Sequence, residues 1–194
     1  MNRKSTLTRI TKETYVKIHI NLDGKGKNKI STTIPFLDHM LELFSFHSGI
    51  DLKINSKGDT KIDDHHLVED IGITLGTSFA QALKDKKGIN RYGEVITPMD
   101  ESLSYVVVDI SGRGHLSYKV KFFPEYNRSS FDYNLIKEFL SAFVFNAKIT
   151  LHIKLLEGKN NHHICESIFK GLGRAIKKAI EINKKNVPSS KGVL

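Results

Sequence analysis

The order of hydrophobic and polar residues predicts a mixture of strands and helices in the first part of the chain. Alternating polar and β-favouring residues predict strands, and apolar residues at i, i+3, i+4 and i+7 predict helices. Strands are predicted at 11–22, 30–34 and 51–55, and helices at 36–46 and 65–85. The turn at Asp23 and Gly24 predicts that the first two of these strands form a hairpin.

The second part of the chain is predicted to repeat this order. Strands are predicted at 91–97, 103–110, 116–122 and 150–155, helices at 133–146 and 162–185, and a loop at 123–132. Setting 36–54 beneath 133–153 aligns helix, turn and strand, and places His39 on Glu138. This self-similarity predicts an internal duplication.

Both halves contain two adjacent histidines at the start of a predicted helix. Asp or Asn precedes each pair, and these are favourable N-cap residues, so the histidines are predicted to lie in the first turn. The first histidine and a glutamate four residues later share one helical face, which suits metal chelation. The second histidine is rotated by about 100°, so each motif is predicted to supply two different metal sites. The motif residues are His65, His66 and Glu69 in the first half and His162, His163 and Glu166 in the second.

A second interpretation, in which these histidines are surface or capping residues, is weakened because the motif occurs twice. Including the aligned pair on the preceding helices gives enough ligands for two ions with coordination positions left open. The candidate ligands are His39, His65, His66, Glu69, Glu138, His162, His163 and Glu166. Imidazole and carboxylate without thiolate suit manganese, iron, cobalt, nickel or zinc. Cys165 is predicted to be a buried apolar residue, and His47 to contact substrate.

Composition narrows the choice of partners. The 194 residues fit one medium domain, and no apolar run approaches the length of a membrane span. A single cysteine suits a reducing cytoplasm, and no signal peptide is predicted. The formal net charge of +9 is compatible with nucleic acid or a phosphorylated small molecule. We expect the small molecule, because the lysines are scattered without an aromatic platform.

Eight motifs together resemble one enzyme family, imidazoleglycerol-phosphate dehydratase. They are FLDHML at 36–41, DDHHLVEDIG at 63–72, KKGINRYG at 86–93, PMDE at 98–101, DISGR at 109–113, TLHI at 150–153, NNHHICESIFK at 160–170 and PSSKG at 188–192. The resemblance implies an α+β fold, a two-layer α/β sandwich with internal duplication of a half that has a four-stranded sheet and two helices, similar to ribosomal S5 domain 2. The halves would be 1–90 and 91–194, the second including a substrate-binding tail.

The resemblance also implies a function. A hydro-lyase of histidine biosynthesis would convert imidazole glycerol phosphate to imidazole acetol phosphate in the cytoplasm, with two Mn²⁺ per active site. The enzyme would be a homo-oligomer, a 24-mer built from trimers, with active sites at subunit interfaces and no nucleic-acid or membrane partner. Glu13, His47 and Glu166 are the candidate catalytic residues, and the choice of base between Glu13 and Glu166 stays open. The candidate substrate-binding residues are Glu13, His39, His47, Arg91, Arg113, Ser189, Ser190 and Lys191.

Two alternatives and three departures from the family pattern accompany this prediction. A di-metal hydrolase would use the same ligands on esters, and a metal-stapled RNA-binding scaffold would show salt-sensitive binding without turnover. Gly114 replaces the proline usual after the SGR turn, and is expected to loosen that loop. Glu138 replaces the histidine of some members, and the segment 122–131 is unlike the usual family loop.

Overall fold

The computed structural model of the protein describes residues 3–124, 131–183 and 186–192. Segments in which more buried and less buried residues alternate form the strands, and segments with apolar residues at helical spacing form the helices. The first half contains β1 (Lys4–Ile10), β2 (Thr14–Asn21), β3 (Asn28–Ser31), α1 (Pro35–Ser48), β4 (Asp51–Gly58) and α2 (His65–Leu83). The second contains β5 (Tyr92–Met99), β6 (Ser102–Asp109), β7 (His115–Lys119), α3 (Leu135–Ala147), β8 (Thr150–Glu157) and α4 (Asn161–Ile180).

Two four-stranded sheets have the same topology, with orders β1-β2-β4-β3 and β5-β6-β8-β7. In each sheet the first three strands are antiparallel, and the last strand pairs parallel to its neighbour. Each sheet is covered by the two helices of its own half. The predicted α+β class and duplicated architecture are confirmed.

The helices of one half pack mainly on those of the other, α1 on α4 and α2 on α3. Glycines permit both close crossings: a Cβ on Gly76 would lie 2.4 Å from Phe143 O, and one on Gly173 would lie 2.8 Å from Phe44 O. Because these residues are equivalent in the two halves, both crossings have the same register. A core of buried aromatic rings fills the space between them, consisting of Phe44, Phe79, Phe139, Phe143 and Phe169.

The predicted hairpin between the first two strands is wrong. β2 pairs with β1 and β4, whereas β3 lies at the sheet edge beside β4. The backbone N–H groups of Lys25 and Lys27 donate to Asp51 Oδ1 at 2.8 and 2.9 Å, so the loop after β2 crosses the start of β4. β1 was missed because this edge strand alternates only between exposed and half-buried residues, which leaves a weak hydrophobic signal.

Several predicted boundaries move. α2 ends at Leu83 and α4 at Ile180, both earlier than predicted, while β4 continues to Gly58 through the predicted turn. β7 ends at Lys119, before the predicted limit of 122. Most of the unusual loop at 122–131 lies outside the described residues. No helix in the described ranges is long and apolar enough to cross a membrane.

Candidate functional site

The start of α4 forms a compact group of metal-type ligands. Asn160 caps this helix, because its side-chain oxygen accepts from the backbone N–H of His162 at 2.9 Å. Glu166 Oε1 lies 2.9 Å from His162 Nε2 and 3.2 Å from His39 Nε2, the latter carried by α1. One ligand atom from each of the three residues lies within 4.8 Å of the others. Packing between the halves therefore joins one ligand from the first half to two from the second.

Glu166 is held in its ionised form. It is only 8% exposed, and Lys170 Nζ lies 2.6 Å from its Oε2. Burial alone would raise the pKa of the Glu166 carboxyl, but hydrogen bonds from Lys170, His39 and His162 outweigh burial and lower the pKa to about 2. The sequence prediction missed Lys170, although its spacing of four residues from Glu166 could have indicated the pair.

The equivalent ligands of the first half lie on α2 and α3. The crossing at Gly76 matches the one at Gly173, so Glu138 takes the place on α3 that His39 takes on α1. His65 and Glu69 are exposed, and Glu138 is half-buried. Within the described residues, these three do not form a group whose ligand atoms all lie within 4.8 Å. The first-half group is thus more open than its counterpart.

The second histidine of each motif contacts a carboxylate through Nδ1. His66 Nδ1 lies 3.1 Å from Asp59 Oδ2 and 3.7 Å from Glu13 Oε2. His163 Nδ1 lies 2.7 Å from Glu101 Oε2. These hydrogen bonds, to Asp59 and to Glu101 respectively, are the largest cause of a raised pKa for each imidazole.

The roles of these two carboxylates were also missed from the sequence. Glu101 had a usable signal, because it lies in the PMDE motif between two predicted strands. Asp59 lies just past β4, in a segment interpreted only as a turn. Asp59 lies only seven residues before His66, whereas Glu101 lies 62 residues before His163.

His47 lies at the C-terminal end of α1, two helical turns from His39. Burial is the main cause of its lowered pKa, and the charges of Lys170 and Arg174 add to it. It lines an open cavity of about 670 Å³ with other basic residues, namely Arg3, Lys25, Lys177 and Lys178. His47 is therefore favoured as a neutral imidazole near cations.

Arg91 is fixed by several contacts. Its backbone φ of 77° is in the left-handed region, which is strained for a non-glycine residue. Its guanidinium donates to both oxygens of Asp109 at 2.7 and 3.2 Å, and to Pro188 O at 3.1 Å. Arg91 thereby connects the sheet to the tail that carries Ser189, Ser190 and Lys191.

The other candidate phosphate ligands lie near this end of the second sheet. Arg113 is exposed, and Ser111 Oγ donates to its carbonyl oxygen at 3.0 Å. In the tail, Ser189 Oγ accepts from Lys191 N at 3.2 Å. Gly114 is closely packed, since a Cβ there would lie 2.6 Å from Phe145 Cα. The absence of a side chain therefore lets the loop approach α3, while the expectation that glycine loosens this loop stays a prediction.

The two sets of candidate residues lie at opposite ends of α4. The backbone N–H of Arg91 donates to Ala179 O at 2.9 Å, in the last turn of the helix, whereas His162 lies in its first. At 1.5 Å per residue, these turns are separated by about 25 Å. One substrate molecule cannot contact both ends within a single chain.

Comparison with known proteins identifies the family. The family model of imidazoleglycerol-phosphate dehydratase matches residues 32–176, which is most of the chain. The chain belongs to the imidazoleglycerol-phosphate dehydratase family. The resemblance inferred from the motifs is therefore confirmed, and the protein is a hydro-lyase.

Full-length relatives and solved structures agree. Imidazoleglycerol-phosphate dehydratase from Endomicrobium trichonymphae is 56% identical over 99% of this chain and 98% of its own length. The enzyme from Clostridium botulinum (strain Alaska E43 / Type E3) is 55% identical over 100% of this chain and 99% of its own length. The crystal structure of the dehydratase from Staphylococcus aureus subsp. aureus N315 has a TM-score of 0.83 and 42% identity, covering 93% of this chain and 99% of that one. The crystal structure of the enzyme from Pyrococcus furiosus has a TM-score of 0.84 and 39% identity, covering 97% of this chain and 100% of that one.

Proposed function

We propose that the protein catalyses a metal-dependent dehydration in histidine biosynthesis, converting imidazole glycerol phosphate to imidazole acetol phosphate. The observation that carries this proposal is the group formed by His39, His162 and Glu166, in which the carboxylate is ionised and both imidazoles reach it through Nε2. Such a donor set fits a divalent ion of intermediate hardness, and we propose manganese.

Two Mn²⁺ per active site would use all eight candidate ligands predicted from the sequence. The proposed ligands are His39, His65, His66, Glu69, Glu138, His162, His163 and Glu166. When bound, the ions would acidify the imidazole ring of the substrate, since a coordinated divalent metal lowers the pKa of an imidazole. The substrate needs this help because the C–H bond to be broken has no neighbouring carbonyl.

The side chains would perform the remaining steps. A carboxylate of Glu13 or Glu166 takes the C2 proton, the neighbouring hydroxyl leaves with a proton as water, and the enol relaxes to the ketone. His47 is proposed to shuttle a proton to the leaving hydroxyl, since a neutral imidazole donates from one ring nitrogen while the other accepts. Glu13 is 56% exposed, which suits direct contact with substrate.

The phosphate would be bound by charged and hydroxyl donors at the other end of the molecule. These are Arg91, Arg113, Ser189, Ser190 and Lys191. Arg113 is exposed and available, whereas Arg91 contacts Asp109 and would act mainly by holding the tail. Hydrogen bonds from charged donors give such a site its affinity.

Active sites at subunit interfaces are supported by the separation of about 25 Å between the two ends of α4. A second copy must bring its phosphate-binding residues to the metal ligands of the first. We propose a homo-oligomer on this basis, a 24-mer built from trimers. A small phosphorylated imidazole would be its ligand in the cytoplasm, without a nucleic-acid or membrane partner.

The test is dehydratase activity on imidazole glycerol phosphate after chelator treatment, before and after manganese is added. His65→Ala and His162→Ala are compared with His152→Ala, a strand histidine on the exposed face of the second sheet. We expect manganese to restore turnover in the wild type and the control, and not in the two ligand variants. Normal assembly without turnover in the wild type would refute the proposal.

A further inference from the structure

Glu13 and Glu101 occupy the same position in the two halves. Each is the last residue of the turn between the first two strands of its sheet, and each directly precedes a strand of eight residues with the same burial pattern. Both strands lie between the same neighbours in the sheet order. The duplication thus places one glutamate beside the second histidine of each motif.

The two glutamates make different contacts. Glu101 is fully engaged, because its side chain accepts from His163 Nδ1 at 2.7 Å, Asn160 N at 2.9 Å and Lys159 N at 3.2 Å. Glu13 lies 3.7 Å from His66 Nδ1, beyond hydrogen-bond distance. Glu13 is thus the freer of two equivalent carboxylates.

Asp59 accounts for this difference. Its Oδ2 lies 3.1 Å from His66 Nδ1 and takes the place that Glu101 takes in the second half. The position equivalent to Asp59 is Gly158, where a Cβ would lie 2.8 Å from Ile164 Cγ1 and 2.9 Å from Ser102 Oγ. Gly158 offers no carboxylate, and the second carboxylate near His163 is that of Asp100, whose Oδ2 lies 3.8 Å from Nε2. Within the described residues, two carboxylates therefore lie near Nδ1 only in the first half.

We propose that Asp59 and Glu101 are positioning residues for His66 and His163, and that Asp59 frees Glu13 to act on substrate. An ionised carboxylate only accepts hydrogen bonds, so Nδ1 of each imidazole carries the proton and Nε2 keeps its lone pair for a ligand. The part concerning Glu13 rests on the proposed dehydratase function. The part concerning the imidazoles does not.

The first experiment measures Mn²⁺ affinity and stoichiometry by calorimetry on the chelator-stripped assembly. Asp59→Ala and Glu101→Gln should each weaken binding by about 10- to 100-fold, as expected for partners of ligating histidines. Asp85→Ala removes an exposed carboxylate from the first half and should leave the affinity unchanged. Wild-type affinity in both test variants, with normal thermal midpoints, would overturn the positioning role.

The second experiment is a double-mutant cycle on turnover at saturating manganese. Glu13→Gln should lower kcat by about 10²- to 10⁴-fold in the wild type. In the Asp59→Ala background the same change should lower kcat only a few-fold, because Glu13 will already be hydrogen-bonded to His66 and unable to act on substrate. Additive losses would overturn the release of Glu13. If the wild type shows no turnover, the proposed function fails, and the affinity measurement alone decides the positioning role.

Discussion

The starts of α2 and α4 carry the same motif, yet within the described residues only the second brings its first histidine and its glutamate into one ligand group with a residue of the preceding helix. At α4, a buried carboxylate faces an imidazole from α1, and the two contact each other directly. At α2, Glu69 is exposed, and the equivalent place on α3 is taken by Glu138, another carboxylate. Two carboxylates repel when no cation lies between them, whereas an imidazole and a carboxylate attract. We infer that the exchange of His39 for Glu138 between the repeats accounts for the difference between the preassembled group and the open one.

The largest effect is expected from matched changes of the two motif glutamates. Glu166→Gln removes a ligand, a candidate base and the partner of Lys170, so turnover should fall by about 10²- to 10⁴-fold. Glu69→Gln removes a ligand alone and should cost less. Steady-state kcat with excess manganese measures both. Equal losses would show that the preassembled group has no special role.

A second pair of variants tests the helix crossings that position the two groups. A Cβ at Gly76 meets two backbone atoms, Phe143 O at 2.4 Å and Ala147 N at 2.9 Å, so Gly76→Ala should destabilise the protein by about 3 kcal/mol. The equivalent contacts of Gly173 are at 2.8 and 3.0 Å, and Gly173→Ala should cost about 1 kcal/mol. Denaturant midpoints of the metal-free protein rank the two variants. The reverse order would contradict the difference in spacing.

The sequence predicted the duplication and the ligand types because both depend on local pattern. Hydrophobic period and helix N-caps are properties of adjacent residues, so the His-His motifs were placed correctly at the starts of α2 and α4. The pairing of β3 with β4 depends on where the loop after β2 crosses Asp51, a contact between distant residues. Glu101 was missed for the same reason, since its partner lies 62 residues away. Asp59 is only seven residues from His66, but it lies outside the helical pattern that placed the histidine.

Changing Glu138→His tests the explanation of the open group. An imidazole at this place should contact Glu69 as His39 contacts Glu166, and so close the first-half group without a cation. The loss of one negative charge should also weaken Mn²⁺ binding at that site by about tenfold, which corresponds to a loss of about 1.4 kcal/mol in binding free energy. Calorimetric titration of the metal-free assembly measures the change, with His39→Glu as the reverse exchange. An unchanged affinity would mean that the charge of residue 138 does not govern the site.

The stability of the metal-free protein at low pH should reveal the contribution of ionised Glu166. Because the pKa of its carboxyl is lowered to about 2 in the fold, ionised Glu166 stabilises the folded state at neutral pH. That contribution should disappear as the pH falls from the ordinary glutamate pKa towards 2. The thermal midpoint of the wild type should therefore fall more steeply than that of Glu166→Gln below pH 5. Parallel curves for the two proteins would contradict the lowered pKa.

The smallest effects are expected from alanine substitutions at two equivalent glycines, whose loops pass over the ends of α1 and α3. Gly26 has a φ of 79° and lies between Lys25 and Lys27, which bind Asp51, so Gly26→Ala should lower stability by about 1 kcal/mol without changing KM. A Cβ on Gly114 would lie 2.6 Å from Phe145 Cα, so Gly114→Ala must shift the loop that carries Arg113.

Gly114→Ala should therefore raise KM by about fivefold, a loss of roughly 1 kcal/mol, and leave kcat unchanged because substrate and transition state share the phosphate contact. Thermal midpoints and steady-state kinetics of both variants separate the two roles. Arg113→Ala serves as the reference, since adding Gly114→Ala to it should cause no further rise in KM. A further rise would show that Gly114 acts on substrate binding by a route other than Arg113.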